Sequence, residues 1–255
     1  MKIHPTAIID PGAELLEDVQ VGPFTIIEAD VRVGAGSVIG PHVLLASGAR
    51  LGSKVTVFNG AVIATVPQDL KFKGEPSTVE IGDNTIVREF ATLHRGTTAT
   101  GRTVIGAECF LMAYSHVAHD CVVEDKVIMA NSVNLAGHVH LEEHVTIGGV
   151  VPVHQFVRIG RHSFIAGGTR VPKDVPPYIL AANEPLKFAG LNFVGLKRRG
   201  FSPETLAALK HAYLLIYNSD LNTSQAITRI REEMELTPEI KHIIDFIESS
   251  ERGII

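Results

Sequence analysis

The sequence is poor in cysteine. Cys109 and Cys121 are the two in 255 residues, too few for a disulfide framework and without the paired spacing of a structural metal site. No apolar run approaches the 18 residues or so that a membrane-crossing helix requires. Positive charge is also in deficit. Lys and Arg total 23 against 28 Asp and Glu, for a formal net charge of −5, which argues against a nucleic-acid-binding surface. A secretory leader is not expected either, because the opening MKIHPTAIID already carries the repeat described next. With so little cysteine, these absences point to a cytoplasmic protein. What remains is a chain that is 45% hydrophobic, long enough for one large or two modest domains.

The hydrophobic residues recur every six positions. Between Leu111 and Val175 the chain divides into LMAYSH, VAHDCV, VEDKVI, MANSVN, LAGHVH, LEEHVT, IGGVVP, VHQFVR, IGRHSF, IAGGTR and VPKDV. Each unit opens with an aliphatic residue and has a small or β-branched one at its fifth place. Counted by sixes from Ile3 to Val171, 26 of 29 positions are Ile, Val, Leu or Met, the exceptions being Asp69, Glu75 and Ala99. A period of six fits neither an α-helix nor an alternating strand. It is the signature of a parallel β-helix, in which each unit forms one short side of a coil and the first and fifth residues point into a narrow core. Cys109 and Cys121 both occupy fifth places, so two small buried thiols are expected. Glycine recurs at the second place (Gly22, Gly34, Gly40, Gly52), where a corner would call for a backbone freed from Cβ.

The three exceptions mark two excursions from the coil, near 65–78 and 97–103. The repeat is expected to stop at VPKDVPPY, because proline cannot donate to a ladder. Beyond it the period becomes helical. Ser202 and Pro203 open a helix carrying Leu206, Leu209, Tyr213 and Ile216; a second lies near 223–235 with Ile227, Ile230 and Met234; a third starts at Thr237-Pro238 with Ile240, Ile243, Ile244 and Phe246. The expected organisation is therefore a β-helical domain over 1–185 and a small helical domain over 186–255. The run Lys197-Arg198-Arg199 between them is either a solvated face or a site for an anion.

Three hexads make one turn of a triangular coil, so residues 18 apart stack at about 4.8 Å. This rule puts His119 beneath Gly137 and Gly137 beneath Gln155, Asp120 beneath His138, and Ala136 beneath His154. His116 precedes this edge by three residues. The inward pattern uses none of these positions. An imidazole suits a general base near neutral pH, and a glycine N–H beside it can donate to a developing oxyanion. That pair is the minimum for acyl transfer. No Ser or Cys nucleophile stands beside a base, which favours direct attack over an acyl-enzyme.

HVAHDC (116–121), LAGHV (135–139), VHQF (153–156), the QDLKF and GEP segments within 68–76, HRGT (94–97), DVPPY (174–178) and GLKRRGF (195–201) together resemble the UDP-N-acetylglucosamine acyltransferase family of lipid A biosynthesis, in order and over essentially the whole chain. The resemblance implies a left-handed parallel β-helix followed by helices, and a homotrimer with active sites between subunits. It implies transfer of a 3-hydroxyacyl group from acyl carrier protein to UDP-N-acetylglucosamine, with no cofactor and no metal. Carried across, His119 is the general base, Asp120 its supporting carboxylate and Gly137 the oxyanion donor. His116, His138, His154 and Gln155 line the substrate groove. Gln68, Asp69 and Lys71 lie on an excursion that reaches over a neighbouring subunit's site. Asn192 and Arg198 contact the nucleotide end, and Gly167 limits acyl length. Val194 stands where the family often has an acid, which puts that nucleotide contact in question.

Other readings stay open at this level. A metal-dependent hydratase of the carbonic anhydrase type also uses histidines on a β-helix, but leaves the helical tail and GLKRRGF without a role. A non-catalytic scaffold would not need polar groups converging on one edge. A related N-acyltransferase would carry a further N-terminal domain, and an acceptor bearing a 3-amine would fit the same groove.

Overall fold

A computed structural model describes residues 1–255. Each hexad contributes one short strand, and the strands stack into three sheets of eleven, eight and eight. The first face climbs from Lys2–Ile3 to Phe164–Ile165 and beyond, the second from Ile8–Ile9 to Pro152–Val153, the third from Glu14–Leu15 to Arg158–Ile159. Pairing within the coil is parallel, with partners such as Lys2↔Gln20 and Asn134↔Pro152 eighteen residues apart. A strand this short cannot bond to itself, so the coils above and below satisfy its backbone.

The core follows the count by six. Every first-place aliphatic from Val21 to Val171 is buried. Ile3, in contrast, is 44% exposed, because no coil lies beneath it. Hydroxyls and thiols at the fifth place are buried too, and they donate across the coil: Thr25 Oγ1 to Gly40 O at 2.6 Å, Thr85 Oγ1 to Gly106 O at 2.7 Å, Cys121 Sγ to Ala136 O at 3.1 Å. Both cysteines are free and buried. Burial pushes the Cys109 thiol up to about 11 and that of Cys121 up to about 12, so neither is reactive near neutrality.

The corners differ from the expectation based on glycine. Gly22, Gly34, Gly40 and Gly52 have no positive φ; they are small because the next coil is close, and a Cβ on Gly34 would lie 2.4 Å from Gly52 C. The left-handed position is the fourth place of the hexad. Residues of every type adopt it, including Asp18 (φ 57°), Phe24 (58°), Lys54 (56°), Asp120 (59°), His138 (62°) and the β-branched Val150 (59°). The tight corner imposes a conformation that costs roughly 1–2 kcal/mol per L-residue, and the ladder on either side holds it.

The first excursion is slightly shorter than expected, because strand pairing extends into it, and the second begins and ends two residues earlier. The first spans 66–77, between strands Val62–Thr65 and Thr78–Ile81; the second spans 95–101, between Thr92–His94 and Arg102–Ile105. Ladder partners are 30 apart across the first (Leu51↔Ile81) and 24 apart across the second (Ile81↔Ile105). Both excursions add whole hexads, which is why counting by six survives them.

The ladder also outlasts VPKDVPPY. Val153↔Val171 and Ile159↔Val175 form single bridges, Ile179–Ala182 pairs in parallel with Phe164–Ile165, and Lys187–Leu191 returns antiparallel. The prolines reduce the ladder to isolated bridges without ending it. The division expected at 185/186 falls in the turn of this hairpin. Four helices follow: α1 (Phe193–Arg198), α2 (Pro203–Tyr217), α3 (Thr223–Glu233) and α4 (Pro238–Glu248). Ser202, Asn222 and Thr237 cap the last three with their side chains. Tyr213 of α2 donates to Pro177 O at 2.6 Å, and His242 of α4 meets the buried Glu142 at 2.7 Å, so the helices are docked on the last coils. No helix is long and apolar enough to cross a membrane.

Candidate active site

The corner between the second and third faces brings together His119, Asp120 and His138. The chain leaves the strand His116–Val117, turns through His119 and Asp120, and enters Val122–Val123. Asp120 shares the left-handed backbone of the other fourth places, but its side chain lies against the excursion 95–101 and is fully buried. Its oxygens accept four hydrogen bonds: from Thr97 N (3.0 Å), Thr97 Oγ1 (2.7 Å), Thr100 Oγ1 (2.5 Å) and His119 Nδ1 (2.7 Å). Burial alone would raise the carboxyl, but the donors from Thr100, Thr97 and His119 outweigh it and bring it to about 2. An ionised Asp120 can only accept, so His119 donates Nδ1–H to it and keeps the lone pair on Nε2.

Gly137 stacks directly on the His119 ring. A Cβ there would lie 2.7 Å from His119 Cε1 and 2.8 Å from Nε2. The Gly137 N–H has no acceptor in the chain. His138 sits above Asp120, with Nε2 3.8 Å from Oδ2; its ring meets His119 edge-on at 5.2 Å and stacks on Phe156 at 4.5 Å. Burial lowers His138, and the charge of Asp120 opposes that shift. These contacts are the ones the eighteen-residue count requires. His154 and Gln155 occupy the same edge but are exposed, and His154 Nδ1 bonds to its own neighbour, Gln155 O, at 3.0 Å. They do not join the buried cluster.

His116 bonds Thr92 Oγ1 through Nδ1 at 2.7 Å, and its ring meets His94 at 4.8 Å. Burial, then the charges of His116 and His119, lower His94 to about 4. Thr92, His94, Thr97 and Thr100 join the cluster although the eighteen-residue register does not point to them, and Phe156 joins it through His138. The first four become visible once the six positions that the excursion adds are included in the count, since Thr92↔His116 are 24 apart. Gln68 and Lys71 are exposed on the first excursion, where Asp69 accepts from Lys71 N. Within a single chain Asp69 already bears on His138, favouring its charged form. The excursion is braced by Phe72 beneath the Arg95 guanidinium and by Glu75 accepting from Thr98 N at 3.2 Å.

The remaining residues lie elsewhere. Asn192 caps α1, accepting from Gly195 N and donating to His162 O at 2.8 Å. With Arg198 and Val194 it lines a cavity of about 660 Å³ on the first face, floored by Phe164, Leu191 and Phe193. Arg199 is half-buried against His144 O, so only Lys197 and Arg198 of the basic run face outward. In a triangular prism the first face is opposite the corner between the second and third. One chain therefore holds its His119 corner and its Asn192–Arg198 cavity on opposite sides. Gly167 lies at the corner between the first and second faces, stacked on Gly149.

His119, Asp120 and His138 bring potential ligating atoms within 4.8 Å of one another. Asp120, however, already accepts four donors, which is the environment of a hydrogen-bonded counter-ion.

The chain matches known proteins over nearly its whole length. Residues 174–255 match the model described as domain 2 of UDP-N-acetylglucosamine O-acyltransferase, and residues 15–47 match the bacterial transferase hexapeptide model. A protein of Thiobacillus denitrificans, named an acyl-acyl-carrier-protein–UDP-N-acetylglucosamine O-acyltransferase, is 48% identical over 99% of this chain and 98% of its own. The crystal structure of the UDP-N-acetylglucosamine acyltransferase of Bacteroides fragilis superposes with a TM-score of 0.98 at 46% identity, covering 99% of both chains. Its counterpart from Acinetobacter baumannii gives 0.95 at 44% identity, again over 99% of each. The architecture is the left-handed parallel β-helix.

Proposed function

The chain belongs to the UDP-N-acetylglucosamine O-acyltransferase family, and on that premise we propose that it moves a 3-hydroxyacyl chain from acyl carrier protein to the 3-hydroxyl of UDP-N-acetylglucosamine, opening lipid A synthesis, with His119 as the general base. The observation that carries this reading is the stack of Asp120, His119 and Gly137 on one corner. Asp120 fixes the tautomer, and His119 Nε2 withdraws the acceptor's hydroxyl proton as its oxygen attacks the thioester carbon. The carbonyl oxygen becomes an oxyanion, which the unengaged Gly137 N–H stabilises. Collapse re-forms the carbonyl, breaks the carbon–sulfur bond and returns the proton from His119 to the departing thiolate. The products are the acyl ester and the carrier thiol, and every step runs on groups of this chain. His116, His138, His154 and Gln155 line the groove, Asp69, Gln68 and Lys71 border it, and Gly167 limits the acyl chain.

A trimer completes the site. Outward residues are largely apolar on the first face (Val38, Ile86, Phe110, Ile128) and on much of the second (Ile8, Ile26, Leu44, Val62), but charged on the third (Glu14, Arg32, Arg50, Glu80). Three copies packed first face to second face would bury the apolar pair and leave the charged face in water. That packing sets the Asn192–Arg198 cavity of one copy beside the His119 corner of the next. The test is activity of purified His119→Ala, which should fall about 10²–10⁴-fold with the fold intact. Mixed trimers of His119→Ala and Arg198→Ala should regain activity. Near-normal turnover by His119→Ala would overturn the assignment of the base.

A further inference from the structure

Asp120 is gripped by one short segment. The excursion 95–101 and the strand after it supply Thr97, Thr100 and Thr103, spaced three apart. Thr97 donates its N–H to Oδ1 and its hydroxyl to Oδ2; Thr100 donates its hydroxyl to Oδ1; Thr103 Oγ1 accepts the N–H of Asp120 itself at 2.9 Å. Asp174, another buried fourth-place carboxylate, accepts from two donors, Arg158 N and Ser250 Oγ, where Asp120 accepts from four. Arg102 O lies 2.7 Å from Thr100 Oγ1 and competes with the nearer, charged Asp120 for its one proton, and Ala99 N donates to Thr97 Oγ1, so the segment is tied to itself as well as to its target. The first excursion leans on the same segment through Glu75 and Thr98 N.

We propose that Thr97 and Thr100 are positioning residues that hold Asp120 ionised and in plane with the His119 ring, and that the excursion 95–101 serves this purpose. The inference rests on His119 being the base, and it concerns how that base is tuned. Three donors besides His119 share the carboxylate's charge. They keep it from taking a proton, and they limit how strongly it draws on the imidazole Nδ1–H. With one removed, Asp120 protonates at higher pH and pulls harder on His119, which makes the imidazole more basic. Both effects move the acid limb of the rate profile upward. The charged and titratable groups that face His119 are Asp120 and His138 in contact, with His94 and His116 on the strands beside it and Asp69 acting through His138. Of these groups, Asp120 is the one that the Thr100 hydroxyl touches.

The experiment measures kcat/KM against pH for the full chain, Thr100→Val, Thr100→Ser, Thr97→Val and His119→Ala, using an acyl carrier protein thioester and UDP-N-acetylglucosamine. Thr100 is exposed, so valine is accommodated. Thr100→Val should lose about ten-fold in kcat, the expected effect of removing one hydrogen bond to a charge. Its KM for the nucleotide sugar should hold within about two-fold, and its acid limb should rise by about one pH unit. Thr100→Ser, which keeps the hydroxyl, should match the parent. Thr97→Val should shift the limb the same way, and a melting curve on each variant separates tuning from loss of folded protein. An unmoved acid limb in Thr100→Val, or a loss of rate that serine does not restore, overturns the proposal. If His119→Ala is active, the choice of base fails; if it is inactive while Thr100→Val behaves as the parent, the clamp alone fails.

Discussion

Gly137→Ala separates catalysis from stability. The backbone at Gly137 has no positive φ, so alanine can adopt it, and the loss of unfolded-state freedom favours the variant by about 0.4–1 kcal/mol. The obstacle is the His119 ring, 2.7 Å from where the new carbon would lie, when ordinary contact begins at 3.4 Å. The ring must withdraw by the difference, about 0.7 Å. It is held by the 2.7 Å bond to Asp120, which stretches or tilts as the ring moves. A misplacement near 1 Å costs on the order of 10²-fold, so a loss of about 10–100-fold is expected, equivalent to about 1.4–2.7 kcal/mol in the barrier. Initial rates at saturating carrier thioester measure the loss, and thermal melting in the same buffer measures the fold. A variant that melts at or above the parent temperature and is slow supports the stacking argument. A variant with parental kcat would mean that the ring position is not critical, and one that is slow only because it is unfolded would mean that the corner cannot take a methyl group.

Three further outcomes follow from the same geometry. Gly167→Met should shift acyl preference toward shorter donors while leaving the KM for UDP-N-acetylglucosamine nearly unchanged; its Cβ meets Gly149 O at 3.1 Å, a contact that a shift of a few tenths of an ångström relieves, and an unaltered chain-length profile would remove it from the limiting role. Arg198→Ala should raise the KM for the nucleotide sugar by about ten-fold, because a guanidinium can bind two phosphate oxygens at once, and titration with the free nucleotide should weaken in parallel. Below pH 6.5 the protein should lose stability, because burial, then the charges of His144, Arg199, Arg161 and His242, lower His162 to about 3, and His94 is lowered to about 4. Between those values and 6.5 the unfolded chain binds protons that the folded chain refuses, so stability is complete above 6.5 and drains as pH falls. His162→Phe should flatten the dependence of melting temperature on pH in that window, and an unchanged slope would place the sensitive group elsewhere.

The repeat was legible because a narrow core admits one large side chain per hexad, and that demand leaves its mark at every sixth residue. The left-handed corners were not, because Asp18, Phe24, Lys54 and Val150 share no composition and the ladder imposes their conformation. Glycine suggested a corner for the wrong reason, since Gly34 answers to the next coil's backbone. Helix α1 is six residues long, too short for a 3.6-residue period to emerge. At the site, His119, Asp120, Gly137 and His138 emerged from counting by eighteen. Thr92, Thr97 and Thr100 did not, because the excursion between 95 and 101 changes the count. His154 and Gln155 show the limit of register: it assigns an edge, not a contact.

The two ends of the coil are unequal, and this gives the molecule a direction of unravelling. At the bottom, Ile3 and Ile8 are 44% and 66% exposed and each strand has a neighbour on one side only. At the top, Tyr213 and His242 bolt helices onto the last turns. In a stack of nearest-neighbour rungs, opening begins at the least supported rung and advances inward. Amide exchange should therefore run as a gradient along the axis, fastest near Lys2 and slowest beneath the helices. The His119 corner lies several rungs from the fraying end, where thermal opening of the lower coils does not disturb it.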